Sequence, residues 1–275
     1  MWITAFRGEY LDTESCRLAA ERAVELLGDV AEVRRLTSLP ALATPEPPFG
    51  GIPKKMWRAA LLIGDEDLTP MAAVAGAIAE GTADYLVSRG MTKVMVANGG
   101  DIALAVGPDE ALTVGIRPDV ERATVSHTIS VSLETGIRGI ATSGVGGRSL
   151  TRGVASAAVV FASGAAMADA AATAVANAVT VSSLSVERCN AEELSPDTDL
   201  TGLDVVKSVG RLTADETEDA LARGLAKADV LVSRELIKGA CIFVQGSMAC
   251  TEGIRPLLKL YSEQTFTNFH KGDNR

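Results

Sequence analysis

Apolar positions recur at helical spacing from about Thr13 to Leu27, with Cys16, Ala19, Ala20, Ala23, Val24 and Leu27 on one side. This pattern predicts an amphipathic helix that stops at Gly28. A second short helix is predicted over Val30 to Leu36. From Ser38 to Lys55, "SLPALATPEPPFGGIPKK" crowds five prolines and two glycines together and reads as a loop. "WRAALLIG" is an apolar run with strand character. "LTPMAAVAGAIAEGTADYLVSRG" carries helix punctuation: Thr69 as N-cap, Pro70 in the first helical position and Gly90 past the end. Two β-like runs follow in "KVMVANGGDIALAVG", then "ALTVGI", "HTISVSL", "GIRGIATSG" and "ASAAVVFA". "GAAMADAAATAVANAV", Gly164 to Val179, is built of strong helix formers, with Ser163 as the expected N-cap. Ser182 to Val209 is polar and has no clear period. Thr213-Ala214-Asp215-Glu216 matches a capping box that opens a helix to about Lys227, and "ACIFVQG" closes with a strand. Helices followed by a run of strands predict an α+β protein with an antiparallel sheet, read as one domain over residues 1–275.

Within the alanine-rich helix the polar residues Asp169, Thr173 and Asn177 stand four apart, on one edge of an apolar rod. Such an edge can simply face water or bond the backbone, so spacing alone leaves its role open. Asn177 lies about 12 Å along the axis from Asp169, too far to share an ion with it. Two glycine-rich turns add to the picture. Asn98-Gly99-Gly100-Asp101 joins two strands; it is either a hairpin turn or a place where exposed N–H groups hold phosphate oxygens. "ATSGVGGRS" offers hydroxyls at Thr142, Ser143 and Ser149, the flexible Gly144 and the cation of Arg148, without the spacing of a Walker or Rossmann loop. A carboxylate and a hydroxyl one turn apart, with phosphate-binding turns, fit hard-oxygen coordination of Mg²⁺ beside a nucleotide or pyrophosphate.

Composition narrows the partners. The 275 residues carry a net charge of −9, with 47% hydrophobic but only 4% aromatic residues. The acidity argues against a broad nucleic-acid or anionic-membrane surface while leaving room for a small phosphate pocket. The four cysteines, Cys16, Cys189, Cys241 and Cys250, are scattered, and there are two histidines. Neither a disulfide framework nor a zinc site is indicated, and a reducing cytoplasm is the expected location. "MWITAFRGEYLD" has no apolar signal region, and the run from Gly153 to Val181 is too polar for a membrane span. A homo-oligomer is compatible with all of this.

"NGGDI", "ATSG" and "ADAAAT", in this order and at these intervals, resemble the ApbE-like superfamily, whose best-known members are FAD-dependent FMN transferases. The resemblance covers roughly Thr69 to Val179. It implies the family's α+β fold, related to the tunnelling fold, and a flavin nucleotide as small-molecule ligand. It also implies Mg²⁺ held by Asp169 and Thr173 beside the FAD pyrophosphate. The family's Gly-Gly-Asp turn is matched by Gly99, Gly100 and Asp101, next to Asn98. Its Thr-Ser-Gly loop near the nucleotide is matched by Thr142, Ser143 and Gly144, with Arg148 following.

Two departures bear on activity. The transferases carry a His-x-x-Asp-Pro-x-Thr-Gly segment before the last core strand, where this chain has "VGGRSLTRG". Glu80 stands where the family's Gly-x-x-Lys-Gly pattern has its lysine, and replacing a cation near a pyrophosphate with a carboxylate should weaken anion binding by like-charge repulsion. "TPMAAVAGAIAE" and "GIATSGVGGRS" are similar to a cytoplasmic ApbE-related branch of anaerobic bacteria and methanogenic archaea, associated with sulfur assimilation and homocysteine formation. The expectation is therefore a Mg²⁺-assisted flavin-nucleotide or pyrophosphate site with no evident general base and doubtful transferase activity. The rival is a non-transferase accessory or carrier of sulfur metabolism, with Cys189, Cys241 and Cys250 as the places to look.

Overall fold

The computed structural model describes residues 1–48, 50–119 and 122–261. The hairpin β1 (Trp2–Arg7) and β2 (Tyr10–Leu11) leads into the helices α1 (Thr13–Glu32), α2 (Arg34–Thr37), α3 (Gly51–Ile63) and α4 (Val74–Ser88). Six strands follow: β3 (Lys93–Asn98), β4 (Asp101–Val106), β5 (Ala111–Ile116), β6 (His127–Ser132), β7 (Gly139–Ser143) and β8 (Ala157–Ala162). Next come α5 (Ala165–Ala178), β9 (Val186–Asn190), α6 (Ala191–Leu194), β10 (Asp204–Val209) and α7 (Ala214–Ser233). The strands β11 (Gly239–Val244), β12 (Ser247–Cys250) and β13 (Leu258–Leu260) complete the described chain.

Eight strands form one sheet in the order β12-β11-β8-β7-β4-β3-β1-β2, with every neighbouring pair antiparallel. A three-stranded sheet, β13-β6-β5, and a two-stranded one, β10-β9, stand beside it. This is the α+β architecture with an antiparallel sheet that the order of elements predicts.

The period-two alternation of β8 explains the layering. Ala158, Val160 and Ala162 join a core with α3, α4, α5 and α7, while Ala157, Val159 and Phe161 join another with β5 and β6. Helices, large sheet and small sheet are thus stacked, and a strand buried on both faces must be apolar throughout, as β8 and β11 are. Nine of the 14 residues of α5 are buried. Alanine at these positions lets the helix lie close to the strands and to its neighbours. Gly76 in α4 is required for that approach, since a Cβ there would stand 2.2 Å from the Ala165 carbonyl oxygen.

Several predicted boundaries move. "WRAALLIG" is not a strand but the end of α3, which closes on Gly64 at φ +82°. The proline-rich loop therefore ends at Gly50, and Pro53 falls in the first helical turn, where a missing N–H costs nothing. α1 runs through Gly28 because Val30 is buried one turn further on. Its buried face is Ser15, Ala19, Ala23, Leu26 and Val30, whereas Val24 and Leu27 are exposed. The segment from 182 to 209 is not structureless; it contains the β9–β10 pair and α6, itself opened by an Asn190–Glu193 capping box. The Thr213–Glu216 box is formed as predicted, and α7 extends beyond Lys227 to Ser233.

Candidate functional site

α5 begins at Ala165 with Gly164, not Ser163, as N-cap, and no side chain of its own segment caps it. The cap comes from another helix. Glu80 of α4 accepts the Ala166 N–H at 3.0 Å through Oε2 and binds Lys55 Nζ at 2.7 Å through Oε1. Glu80 is thus a helix-capping carboxylate outside the lining of the cavity described next, so it does not oppose an anion there.

One turn into α5, Asp169 turns toward the start of α4. Its Oδ2 accepts the Gly76 N–H at 2.8 Å, an otherwise orphaned donor in the first helical turn. The absence of a side chain at Gly76 makes this contact reachable, since a Cβ there would lie 2.8 Å from the Asp169 Cβ. The Asn98 amide bonds the Ala75 carbonyl at 3.2 Å and ties the β3–β4 hairpin to the same end of α4. Gly99 turns that hairpin at φ +80°, and a Cβ on Gly100 would stand 3.3 Å from the Thr142 Cβ. The two glycine-rich turns therefore meet edge to edge.

These elements enclose a cavity of about 890 Å³. Asn98, Gly99, Gly100, Asp101, Thr142, Ser143, Gly144, Arg148, Asp169 and Thr173 all line it. Asn177 does not. Its Oδ1 accepts the Arg152 N–H at 2.9 Å and the Thr151 hydroxyl at 3.3 Å, which makes it a structural tie. The polar stripe of α5 thus divides, with Asp169 and Thr173 toward the cavity and Asn177 toward the loop that follows Arg148.

The electrostatics centre on two carboxyls. Burial pushes Asp101 up to about 7, against the Thr142 N–H and the Arg148 guanidinium, which pull it down. Asp169 is raised well above the usual carboxylate range, first by burial and then by the charge of Asp101, with the N–H groups of Gly76 and Ala75 opposing. Two acids that repel each other in a buried site both resist ionisation, and a cation in place of their protons relieves that cost. No group of three or more His, Cys, Asp or Glu converges among the described residues. The oxygens available are those of Asp101, Asp169 and Thr173. This donor set fits Mg²⁺, which commonly takes one or two carboxylates and keeps waters and ligand phosphates for the rest.

Sequence reasoning missed two parts of the wall. Arg117, after β5, is a second cation on the lining, and Ala20, Ala23, Val24 and Leu27 of α1 supply an apolar side together with Met71, Val74 and Ile78. The exposed Val24 and Leu27 read as core from their spacing; their departure from the Leu26–Val30 face was the available signal. Cys16, Cys189, Cys241 and Cys250 are free thiols, and none of them lines the cavity. No helix among the described residues is long and apolar enough to cross a membrane.

Fold and cavity together define an α+β protein with a mixed polar and apolar pocket built around a paired-acid site. Residues 1–250 match the family described as AbpE bacteria, and the chain belongs to that family. The UPF0280 protein of Methanothermobacter thermautotrophicus is 38% identical over 144 residues, covering 52% of this chain and 53% of that relative. The UPF0280 protein of Methanothrix thermoacetophila is 44% identical over 116 residues, covering 40% and 46%. The chain spans about half the length of these relatives. Among solved structures, the flavin transferase ApbE from Vibrio cholerae is 16% identical, covering 90% of this chain and 77% of that one with a TM-score of 0.38. The apo form of Pseudomonas stutzeri flavinyl transferase ApbE is 15% identical, covering 91% and 76% with a TM-score of 0.40.

Proposed function

We propose that the cavity binds a flavin nucleotide, or another ligand with a pyrophosphate, together with Mg²⁺, and that the protein is a poor flavin transferase. The observation that carries this reading is the convergence of Asp101, Asp169, Thr173 and the two glycine-rich turns on one cavity that also has an apolar wall. Asp169 and Thr173 would hold the ion, with Asp101 across from them. The ion would supply charge neutralisation for the pyrophosphate. The turns at 98–101 and 142–149 offer N–H groups and hydroxyls to phosphate oxygens, Arg148 adds a charge, and the α1 side offers an apolar surface for a planar ring.

Transfer needs a base for the acceptor hydroxyl, and proton transfer of this kind contributes about 100- to 10,000-fold. "VGGRSLTRG" supplies no carboxylate or imidazole, which is why turnover should be low. The sulfur-accessory reading draws nothing from this cavity, because no cysteine lines it. Calorimetric titration with FAD, in EDTA and in Mg²⁺, tests the binding; incubation with FAD, Mg²⁺ and a Thr-containing acceptor peptide tests transfer. Mg²⁺-dependent FAD binding with little fluorescent peptide is expected. FAD binding that ignores Mg²⁺, or no binding at all, would remove the metal site from the proposal, and rapid flavinylation would overturn its second half.

A further inference from the structure

Two of the four cysteines, nine positions apart in sequence, are brought face to face by the β11–β12 hairpin. Cys241 and Cys250 are direct partners in its register. The adjoining rung is hydrogen-bonded, with the Thr251 N–H on the Ala240 carbonyl at 3.0 Å and the Ala240 N–H on the Thr251 hydroxyl at 3.0 Å. By the alternation of antiparallel ladders, Cys241 and Cys250 occupy the other kind of rung, where Cα atoms ordinarily approach to about 4.5 Å and side chains are closest. That spacing lies inside the range a disulfide spans. Both side chains point into the same core, with Phe243, Phe161 and Ile254. We propose that Cys241 and Cys250 form a redox-active dithiol, which a small-molecule or protein disulfide converts reversibly to an intramolecular bond.

The two thiols are not equivalent. Cys241 is fully buried on a strand inside the sheet, whereas Cys250 retains 7% exposure on β12, a four-residue strand at the sheet's edge. The hydrogen bond from Cys241 and, after it, the Arg255 guanidinium lower the Cys250 thiol, with burial opposing; the same partnership raises Cys241. Cys250 is therefore the attacking sulfur. Its thiolate displaces one thiolate from the oxidant R–S–S–R and leaves a mixed disulfide. Cys241 then loses its proton and attacks the Cys250 sulfur, releasing the second thiolate. Two protein thiols are oxidised, one external disulfide is reduced, and the two protons lost by Cys241 and Cys250 end on the two departing thiolates. Access requires that the edge strand β12, beyond which no strand lies in the sheet among the described residues, part from β11.

The test incubates the native full chain in buffers of stepped oxidised-to-reduced glutathione ratio, then acid-quenches, alkylates and maps the peptides by mass spectrometry. The expected result is a Cys241–Cys250 bond whose fraction rises and falls reversibly with that ratio. In Cys241→Ser, Cys250 should accumulate as a glutathione mixed disulfide; in Cys250→Ser, residue 241 should stay unmodified. Full alkylation of both residues across all buffers in the wild-type chain overturns the proposal. A bond from either residue to Cys16 or Cys189 in the folded wild-type protein overturns it as well. The wild-type map decides alone if a variant does not fold.

Discussion

Replacing Asp101 with Asn removes one of the two cavity carboxyls at nearly constant volume, and the effect should depend on pH. In the folded chain burial pushes this carboxyl up to about 7 from its ordinary 3.8. The unfolded chain releases the proton near the ordinary value, the folded chain only near neutrality. The stability carried by the protonated form is therefore full below about pH 4 and is lost progressively as pH rises to about 7. Asp169 is raised well above the usual carboxylate range too, by burial first and then by the charge of Asp101, and is left in place in this variant. At about 1.36 kcal/mol per pH unit, the displacement of Asp101 sets a ceiling of about 4 kcal/mol. Partial solvation of the cavity reduces it, so about 2–4 kcal/mol is expected. Asn can still accept the Thr142 N–H and does not titrate. Paired thermal and urea melts in EDTA should find wild type and Asp101→Asn nearly equal at pH 4. At pH 8 the variant should be the more stable by about 4–16 °C in Tm for a chain of this size. Adding Mg²⁺ at pH 8 should narrow the gap by stabilising the wild type. Equal stability at pH 8, or a variant weaker at both pH values, would refute the reasoning. Either result would mean that Asp101 is ionised and satisfied by Arg148 in the folded chain.

Asp169→Asn should weaken Mg²⁺-dependent FAD binding by at least about tenfold, the lower end of what loss of even an outer-sphere partner costs, while leaving the melt at pH 4 nearly unchanged and raising it at higher pH in EDTA. In the wild type, Mg²⁺ affinity should rise with pH as the ion displaces the Asp169 proton; flat affinity between pH 6 and 8 in calorimetry would count against that carboxylate as ligand. Asn177→Ala leaves the Arg152 N–H without its acceptor and should cost about 1–3 kcal/mol in urea melts, with Mg²⁺ and FAD affinity unaltered. Glu80→Ala removes the α5 cap and the Lys55 pair, so a loss of about 1–2 kcal/mol is expected. Its FAD affinity should stay at the wild-type value, since Glu80 is off the cavity; a gain in affinity would restore the repulsion argument that the geometry removes.

What was readable in the chain follows from how local each signal is. The β3–β4 hairpin announces itself through Asn98-Gly99-Gly100-Asp101 between two apolar runs, and the structure closes it on those residues. Asp169 and Thr173 stand out because four-residue spacing is a property of one helix. α3 was misread because "WRAALLIG" taken alone has no period, and its start at Gly51 is hidden within the prolines. Glu80 was misjudged for a different reason. Its partner, the Ala166 N–H, lies 86 positions away, and nothing near Glu80 marks it as a cap for another helix. The same holds for Gly76, which reads as a flaw in α4 until α5 is laid against it. It then proves to be the point where two helices come close enough for a backbone N–H to hold Asp169 in place. A carboxylate in an alanine-rich helix looks like a cost when only that helix is considered. Set between an N–H donor at the start of α4 and a second acid on the β3–β4 hairpin, it becomes half of a pair of acids whose resistance to ionisation a divalent cation would relieve.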